Sequence, residues 1–290
     1  MTSSAWMTVA EVQQRMHEQL DREWDIEELA KVAGYDDFHF AHVFTDVVGE
    51  PPLRYLRRLR LERAAHDLVA DPESSVAAAA RRAGYASLEA FSRSFRRAFG
   101  CSPRSFRIAP KSRAGVSPKV PEWKAHVDPA TFPEGLATKP ELLAIGPLCG
   151  WTVDAPSFDD LEEVGRAMMP LLELVPPDGP WQLGGIAQPW GWAAETRRDL
   201  RVFRLVDDTR LPPPPIRPWR LPRGWFARFD YDGLPTGIAT ACAWIMSAWI
   251  PQSGLRVAFA PLFTLLEGSF SFDRSVARIH APIESMTPAR

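Results

Sequence analysis

Cysteine is scarce in this chain. Cys101, Cys149 and Cys242 are the only three in 290 residues, and no two form a Cys-x-x-Cys pair. So odd and scattered a set argues against a disulfide framework and against a zinc site, and it fits a reducing, cytoplasmic setting. Histidine is little better represented: of six, only His39 and His42 stand three apart, so no metal centre is expected. No Gly-x-Ser-x-Gly, Walker-type loop or Gly-x-Gly-x-x-Gly occurs in a strand-to-helix context. Neither catalytic residues nor a cofactor are therefore expected, and the chain reads as a non-enzyme. Residues 1–6 lack a basic stretch followed by an apolar core, so no signal peptide is expected. The most apolar run, Ile238 to Ile250, is bracketed by Pro235 and Pro251 and is too short to span ~30 Å of hydrocarbon. No membrane partner is expected.

An excess of one charge is also missing overall: 34 basic residues face 36 acidic ones, a formal net charge of -2. The distribution is uneven, however. Positions 1–50 hold 3 basic and 11 acidic residues, a net of -8, and positions 51–119 hold 15 and 5, a net of +10. Positions 120–290 hold 16 basic and 20 acidic residues, a net of -4. A basic segment inside an acidic protein is the localised electrostatic footprint that phosphate binding requires. The length favours two domains, and a hydrophobic content of 46% suffices for more than one core.

What is present in abundance is internal repetition. Phe44-x4-Gly49-x2-Pro52-x2-Tyr55 recurs as Phe95-x4-Gly100-x2-Pro103-x2-Phe106, and each copy follows an alanine-containing helix that ends in Gly34-Tyr35 or Gly84-Tyr85. Each copy spells a short helix, a glycine turn and a second helix, which is a helix-turn-helix. The first helix of the chain is expected over Val9 to Leu20. Asp25 is placed to cap Ile26 to Ala33, which stops at Gly34; Asp36 or Asp37 caps a helix to Val48 with Phe40, Val43, Phe44 and Val47 inward. In the second copy Ser74 or Ser75 and then Ser87 are the caps, and the last helix carries Leu88, Phe91, Phe95 and Phe99. Pro52 to Ala70 reads as a connecting helix with Arg54, Arg57, Arg58, Arg60 and Arg63, whose few evident acidic partners favour phosphate contact.

Residues 5–110 closely resemble the DNA-binding domain of AraC/XylS-family bacterial transcription regulators. The segments that carry the resemblance are Ala79–Ser87, Phe91–Arg96 and Gly100–Arg107. The resemblance implies a seven-helix domain, with helix-turn-helix segments at about 26–49 and 75–100, that binds double-stranded DNA in successive major grooves. It also implies that Phe38, Ala41 and His42 face bases from the first reading helix. Ser87, Leu88, Glu89 and Arg93 would do so from the second, with Arg57, Arg96 and Arg97 in the interface. Ala41 offers only apolar contact, for example to a thymine methyl, and His42 makes one bond at best. The second head is expected to dominate affinity.

Residues 111–122 have the composition of a linker. Beyond them the pattern becomes α+β. A buried strand is expected at Leu142–Ile145 and a helix over Phe158 to Leu174. Strands are expected at Gln182–Ala187, Arg201–Val206 and Trp225–Tyr231, then a helix over Thr236 to Trp249 and strands at Leu262–Glu267 and Val276–Ile283. The expected whole is multidomain: an all-α double helix-turn-helix domain, then an α+β domain with a mostly antiparallel sheet. Residues Pro140–Gly146, Leu221–Ala227, Trp249–Gly254 and Ile279–Ile283 resemble the GyrI-like effector-binding domain, over 123–290, in the domain order of Rob-type regulators. That resemblance implies pseudo-twofold strand-helix-strand-strand repeats with a ligand cleft between them. It also implies that the position often held by a cation-binding glutamate is Thr264 here, which leans toward a neutral or apolar effector. Nine of 11 tryptophans follow residue 120. Trp190, Trp192, Trp225, Phe263 and Thr264 are the expected pocket residues for a flat, hydrophobic molecule. RNA polymerase is a further candidate partner. The alternatives are a GyrI-like hydrolase or sequestering protein for reactive toxins, and a regulator whose C-terminal domain binds a protein.

Overall fold

The computed structural model describes residues 5–70, 73–108, 130–155, 161–174, 181, 183–187, 200–206, 212–213, 215–221, 223–268 and 273–284. The chain divides into two compact units, one N-terminal and one C-terminal. The linker expected at 111–122 lies outside the described residues, as do Trp190 and Trp192.

The N-terminal unit is built of seven helices among the described residues: α1 (Ala5–Glu18), α2 (Ile26–Ala33), α3 (Asp37–Val48), α4 (Pro52–Ala70), α5 (Val76–Arg82), α6 (Leu88–Phe99) and α7 (Pro103–Ile108). Their ends follow from local chemistry. Asp25, Asp36, Ser75 and Ser87 each accept a hydrogen bond from a first-turn backbone N–H, and Gly34, Gly49 and Gly100 close their helices in the left-handed conformation. The repeated motif now has a packing reason. In each copy the glycine ends one helix, the proline opens the next, and the aromatic one turn later packs back on the phenylalanine. Phe44 meets Tyr55 at 5.6 Å between ring centroids, and Phe95 meets Phe106 at 5.3 Å. Helix α1 starts earlier than its apolar spacing implied, because Trp6 is buried along with Val9, Val12 and Met16.

Helix α4 runs between the two heads, packing with α3, α5, α6 and α7. Asp67, buried on α4, binds Arg63 Nε at 2.9 Å, Arg82 Nε of α5 at 2.7 Å and His66 Nδ1 at 3.3 Å. Burial alone would push its carboxyl up; the His66 hydrogen bond and the charges of Arg63 and Arg82 outweigh that and hold it at about 2. Because the folded value lies below the ordinary 3.8, this stabilisation is complete above that value and is lost as pH falls toward 2. Arg60 reaches the other way and donates to the Leu20 and Arg22 carbonyls at 2.9 and 2.6 Å. Gly84 is pressed against the same place: a Cβ there would lie 2.3 Å from the Leu20 carbonyl oxygen.

Among the described residues, the strands of the C-terminal unit form a single eight-stranded sheet with every pairing antiparallel. Its strands are β1 (Glu141–Ile145), β2 (Leu148–Ala155), β3 (Leu183–Ala187), β4 (Leu200–Leu205), β5 (Arg217–Leu221), β6 (Gly224–Gly233), β7 (Leu262–Leu266) and β8 (Ser275–Ile283). Helix α8 (Leu161–Leu174) follows β2. After β6 comes α9 (Pro235–Trp244), which continues through a π-helical turn, Ile245–Trp249, into α10 (Ile250–Ser253). The spatial order is β1-β6-β8-β7-β3-β4-β2-β5. Exchanging β1–β4 with β5–β8 leaves that order unchanged, so the two halves are equivalent in topology.

Each half has one strand more than its expected repeat, because β2 and β5 were not anticipated. Pro218 sits within β5, which is tolerated because β5 is an edge, where a missing N–H costs no ladder bond. The other edge is β1, so Leu142 is 37% exposed rather than buried. The connections then force curvature. β1 and β2 are joined by two residues yet lie six strands apart in order, about 29 Å in a flat sheet against about 11 Å of chain. β5 and β6 impose the same condition. The sheet curls, and Ile145 of one edge joins Trp219 and Leu221 of the other in one cluster with Phe203, Phe226 and Phe263. The opposite face packs under the helices, with Trp151, Val153, Phe229, Ile279 and Ile283 against Val164, Leu171, Ile238 and Ile245.

Two substitutions test this reading. Gly84→Ala is expected to lower the urea unfolding free energy, followed by helical ellipticity, by about 2 kcal/mol or more. Gly34→Ala, where a Cβ meets nothing within 4 Å, is expected to cost only about 1 kcal/mol. Asp67→Asn is expected to flatten the fall in stability between pH 4 and 2 that the unaltered protein shows in the same measurement.

Candidate nucleic-acid interface

Each reading helix is held by one face and offers the other. On α3, Phe40 and Phe44 are fully buried, and Val43 and Val47 are half-buried. The opposite side presents Phe38, which is 85% exposed, with His42 and Asp46. His42 Nε2 lies 3.6 Å from Asp46 Oδ2, so an acid stands beside the imidazole on this stripe. Ala41 is half-buried, and its carbonyl accepts the Thr45 hydroxyl at 2.7 Å.

On α6, Phe91, Phe95 and Phe99 are fully buried. Arg93, Arg96 and Arg97 are exposed on the far side. Leu88 at the helix start is 44% exposed. Ser87 caps the helix by accepting from Ala90 N–H at 3.2 Å, and its hydroxyl donates to Glu89 Oε2 at 2.8 Å. That bond, with a backbone N–H and the Arg93 charge, holds the Glu89 carboxyl below its ordinary range. Ser87 is thus occupied in placing Glu89. The repeat aligns His42 with Arg93, Thr45 with Arg96 and Asp46 with Arg97. Three arginines stand where the first head has a histidine, a threonine and an acid, a set chemically able to contact phosphates and to bond a guanine edge twice.

The arginines of α4 require a correction. Arg57 is exposed. Arg58 donates to Glu50 Oε1 at 2.6 Å and to Glu62 Oε1 at 3.1 Å, and its guanidinium lies 5.1 Å from the Tyr55 ring centroid. Arg60 and Arg63 are engaged as described above. Three of the five are internal ties, and their acids stand at helical spacing: Arg58 with Glu62, Arg63 with Asp67. Tyr55 also meets His17 Nε2 at 3.1 Å, and burial, then Arg58, lowers that imidazole to about 4, which keeps it neutral.

The expected effector residues do not share one face. Thr264 alternates with Leu262 and Leu266 and so faces the helices, while Phe263 faces the curled side. There Phe263 stacks on His280 at 4.3 Å and is completely buried. The Thr264 hydroxyl accepts from Gly185 N–H at 3.2 Å and lies 3.3 Å from its carbonyl oxygen. Trp225 is half-buried against the helix-side core. Two residues on that helix side were not anticipated: Arg204 of β4, 1% exposed, and Trp151 of β2, directly opposite it in the ladder. A lone charge inside the run Val202-Phe203-Arg204-Leu205-Val206 was the available signal. Among the described residues no group of three or more His, Cys, Asp or Glu could hold a metal ion, and no helix is long and apolar enough to cross a membrane.

Residues 29–109 match the family profile described as a helix-turn-helix domain. Among curated proteins the chain is similar to the HTH-type transcriptional regulator Rv1931c of Mycobacterium tuberculosis, 43% identical over 84 residues, which are 29% of this chain and 32% of that protein. It is also similar to the RCS-specific HTH-type transcriptional activator RclR of Escherichia coli, 38% identical over 94 residues, 32% of this chain and 33% of that one. The chain thus spans about a third of the length of these relatives. Among solved structures, the DNA-binding domain of AdpA in complex with a target DNA is 33% identical, covering 37% of this chain and 96% of that one at a TM-score of 0.34. The EcmrR–DNA complex is 12% identical over 52% of this chain and 59% of that one, at a TM-score of 0.41. The N-terminal unit therefore carries a helix-turn-helix domain over residues 29–109.

Truncating Arg58 removes the guanidinium that Glu50 and Glu62 share. Arg58→Ala is expected to cost about 3 kcal/mol in chemical denaturation, whereas Arg57→Ala is expected to stay within about 0.5 kcal/mol.

Proposed function

We propose that this protein is a sequence-specific regulator of transcription that binds duplex DNA through its N-terminal unit and senses a small molecule through its C-terminal unit. One observation carries the first part: the outward face of α6 bears Arg93, Arg96 and Arg97 and a Glu89 carboxylate fixed by Ser87. Arg93 grips a guanine edge, Glu89 accepts from a cytosine amino group, and Arg96 and Arg97 meet phosphates. Leu88 lies at the same end. From α3, Phe38 and Ala41 make apolar contact and His42 a single hydrogen bond, with Arg57 of α4 on the backbone. The names of the similar proteins, all transcriptional regulators, support this reading.

The C-terminal unit is read as a GyrI-like effector domain in the Rob-type order. The topologically equivalent halves and the two helices on one face of the sheet support that reading. Thr264 and Gly185 leave the centre of the helix-side face, between the halves, free of charge, and Trp225 lies on the same side. Ligand binding acts by favouring one arrangement of the protein on DNA, or toward RNA polymerase, over another.

Selection of bound duplexes from a random pool is expected to return a motif well defined at the α6 end and degenerate at the α3 end. Arg93→Ala is expected to cost ~1–3 kcal/mol of duplex affinity, relax one base position and shallow the salt dependence. Unchanged affinity and salt slope would remove α6 from the interface.

A further inference from the structure

The two reading helices carry different chemistry at one matched position. Setting cap on cap, Asp36 on Ser87, brings Phe40 onto Phe91, Phe44 onto Phe95 and Gly49 onto Gly100, the residues that seat and end each helix. The same register sets Phe38 on Glu89, and both are exposed in the first turn of a reading helix. Phe38, at 85%, is the most exposed large hydrophobic side chain among the described residues. The core does not hold it, since Phe40 and Phe44 take the inward face. A benzyl group has no donor or acceptor, so a base that it reads is read by apolar contact.

The side chain at this position follows from the cap before it. The Ser87 hydroxyl accepts from Ala90 N–H at 3.2 Å and still has a proton to donate to Glu89 Oε2 at 2.8 Å. Asp36 accepts from His39 N–H at 3.0 Å in the same way, but a carboxylate has no proton to give. A glutamate at position 38 would stand unheld beside Asp36 and Asp37, a third acid in a row on a surface that meets phosphates. Phenylalanine avoids that repulsion. Each cap is thus matched to its reader, a hydroxyl with a carboxylate and a carboxylate with a ring.

We propose, resting on the duplex-binding reading above, that Phe38 reads the C5 methyl of a thymine from the helix position at which Glu89 takes the amino group of a cytosine. The two pyrimidines differ on the major-groove edge in these groups: cytosine offers the N4 amino donor, and thymine an O4 acceptor with the methyl beside it. A carboxylate is repelled by O4, and a ring gains little from the bare C5 edge of cytosine. Asp36 and Ser87 are positioning residues that decide which reader each helix can carry. The α3 end of the site holds one thymine preference within an otherwise degenerate stretch.

Deoxyuridine tests the assignment, because it pairs as thymine does and lacks only the methyl. With the full chain and a duplex selected from the random pool, each thymine is replaced in turn at the end that Arg93→Ala leaves unrelaxed. One replacement is expected to weaken binding about fourfold, the equivalent of one buried methyl group, and Phe38→Ala is expected to erase that loss. Asp36→Ser with Phe38→Glu, which copies the second head, is expected to move the preference at that position from thymine to cytosine; Phe38→Glu alone weakens binding without that move. Ser87→Asp, which keeps a cap and removes the donor, is expected to reduce the cytosine preference at the α6 end. Equal binding of thymine and uracil at every position, or a uracil penalty that survives Phe38→Ala, overturns the thymine assignment and leaves duplex binding standing. A double variant without cytosine preference overturns the match of cap to reader. Absence of any duplex binding by the unaltered chain overturns both readings.

Discussion

The N-terminal unit depends on the charges buried along α4. A helix of this length with so many arginines would ordinarily be a solvated rod, yet here most of its cations point into the domain. Arg58 ties the helix start to Glu50 and Glu62, beneath the Tyr55 ring that closes the first head. Asp67 ties its far end to Arg82 at the base of the second head. Between them Arg60 takes the Leu20 and Arg22 carbonyls just beyond α1, where Gly84 also lands. Because these bonds are directional and largely shielded from water, they set the spacing of the two reading helices more rigidly than apolar contact would.

The C-terminal unit meets a different constraint. Its antiparallel ladders are ordinary, but two-residue connections join strands that lie six positions apart. Only curling the sheet reconciles chain length with strand order. Curling divides the faces unequally: the inner one closes around Phe203, Phe226 and Phe263, and the outer one is left for the helices. A residue's side is thus set by parity along its strand. Phe263 and Thr264, neighbours in sequence, cannot line the same pocket.

Legibility from the sequence followed the range of the governing interactions. The bounds of α2, α3, α4 and α6 were readable nearly to the residue, since a capping side chain three positions from its donor and a glycine turn are local facts. The outward arginines of α6 were readable for the same reason. What escaped was decided at a distance. The strand at Arg217–Leu221 is permitted only because it lies at an edge, and the fate of Arg60 depends on carbonyls forty residues away. Arg58 and Arg63 could have been read correctly from their acids one turn on. The buried position of Arg204 was hinted at by its apolar neighbours, but its pairing with Trp151 needed the register.

Both units are duplications whose copies share a scaffold and differ in chemistry. The shared parts are those that packing requires: the Phe-Gly-Pro-aromatic lock in each head, and the ladders in each half of the sheet. The differences lie where packing leaves freedom. His42, Thr45 and Asp46 on one reading helix face Arg93, Arg96 and Arg97 on the other, all on exposed turns. Ala227 and Ala281 in one half of the sheet match Trp151 and Arg204 in the other. An internal repeat thus serves as its own control: whatever one copy does without, the fold does not need. By that standard neither the basic stripe of α6 nor the buried Arg204–Trp151 pair is required by packing.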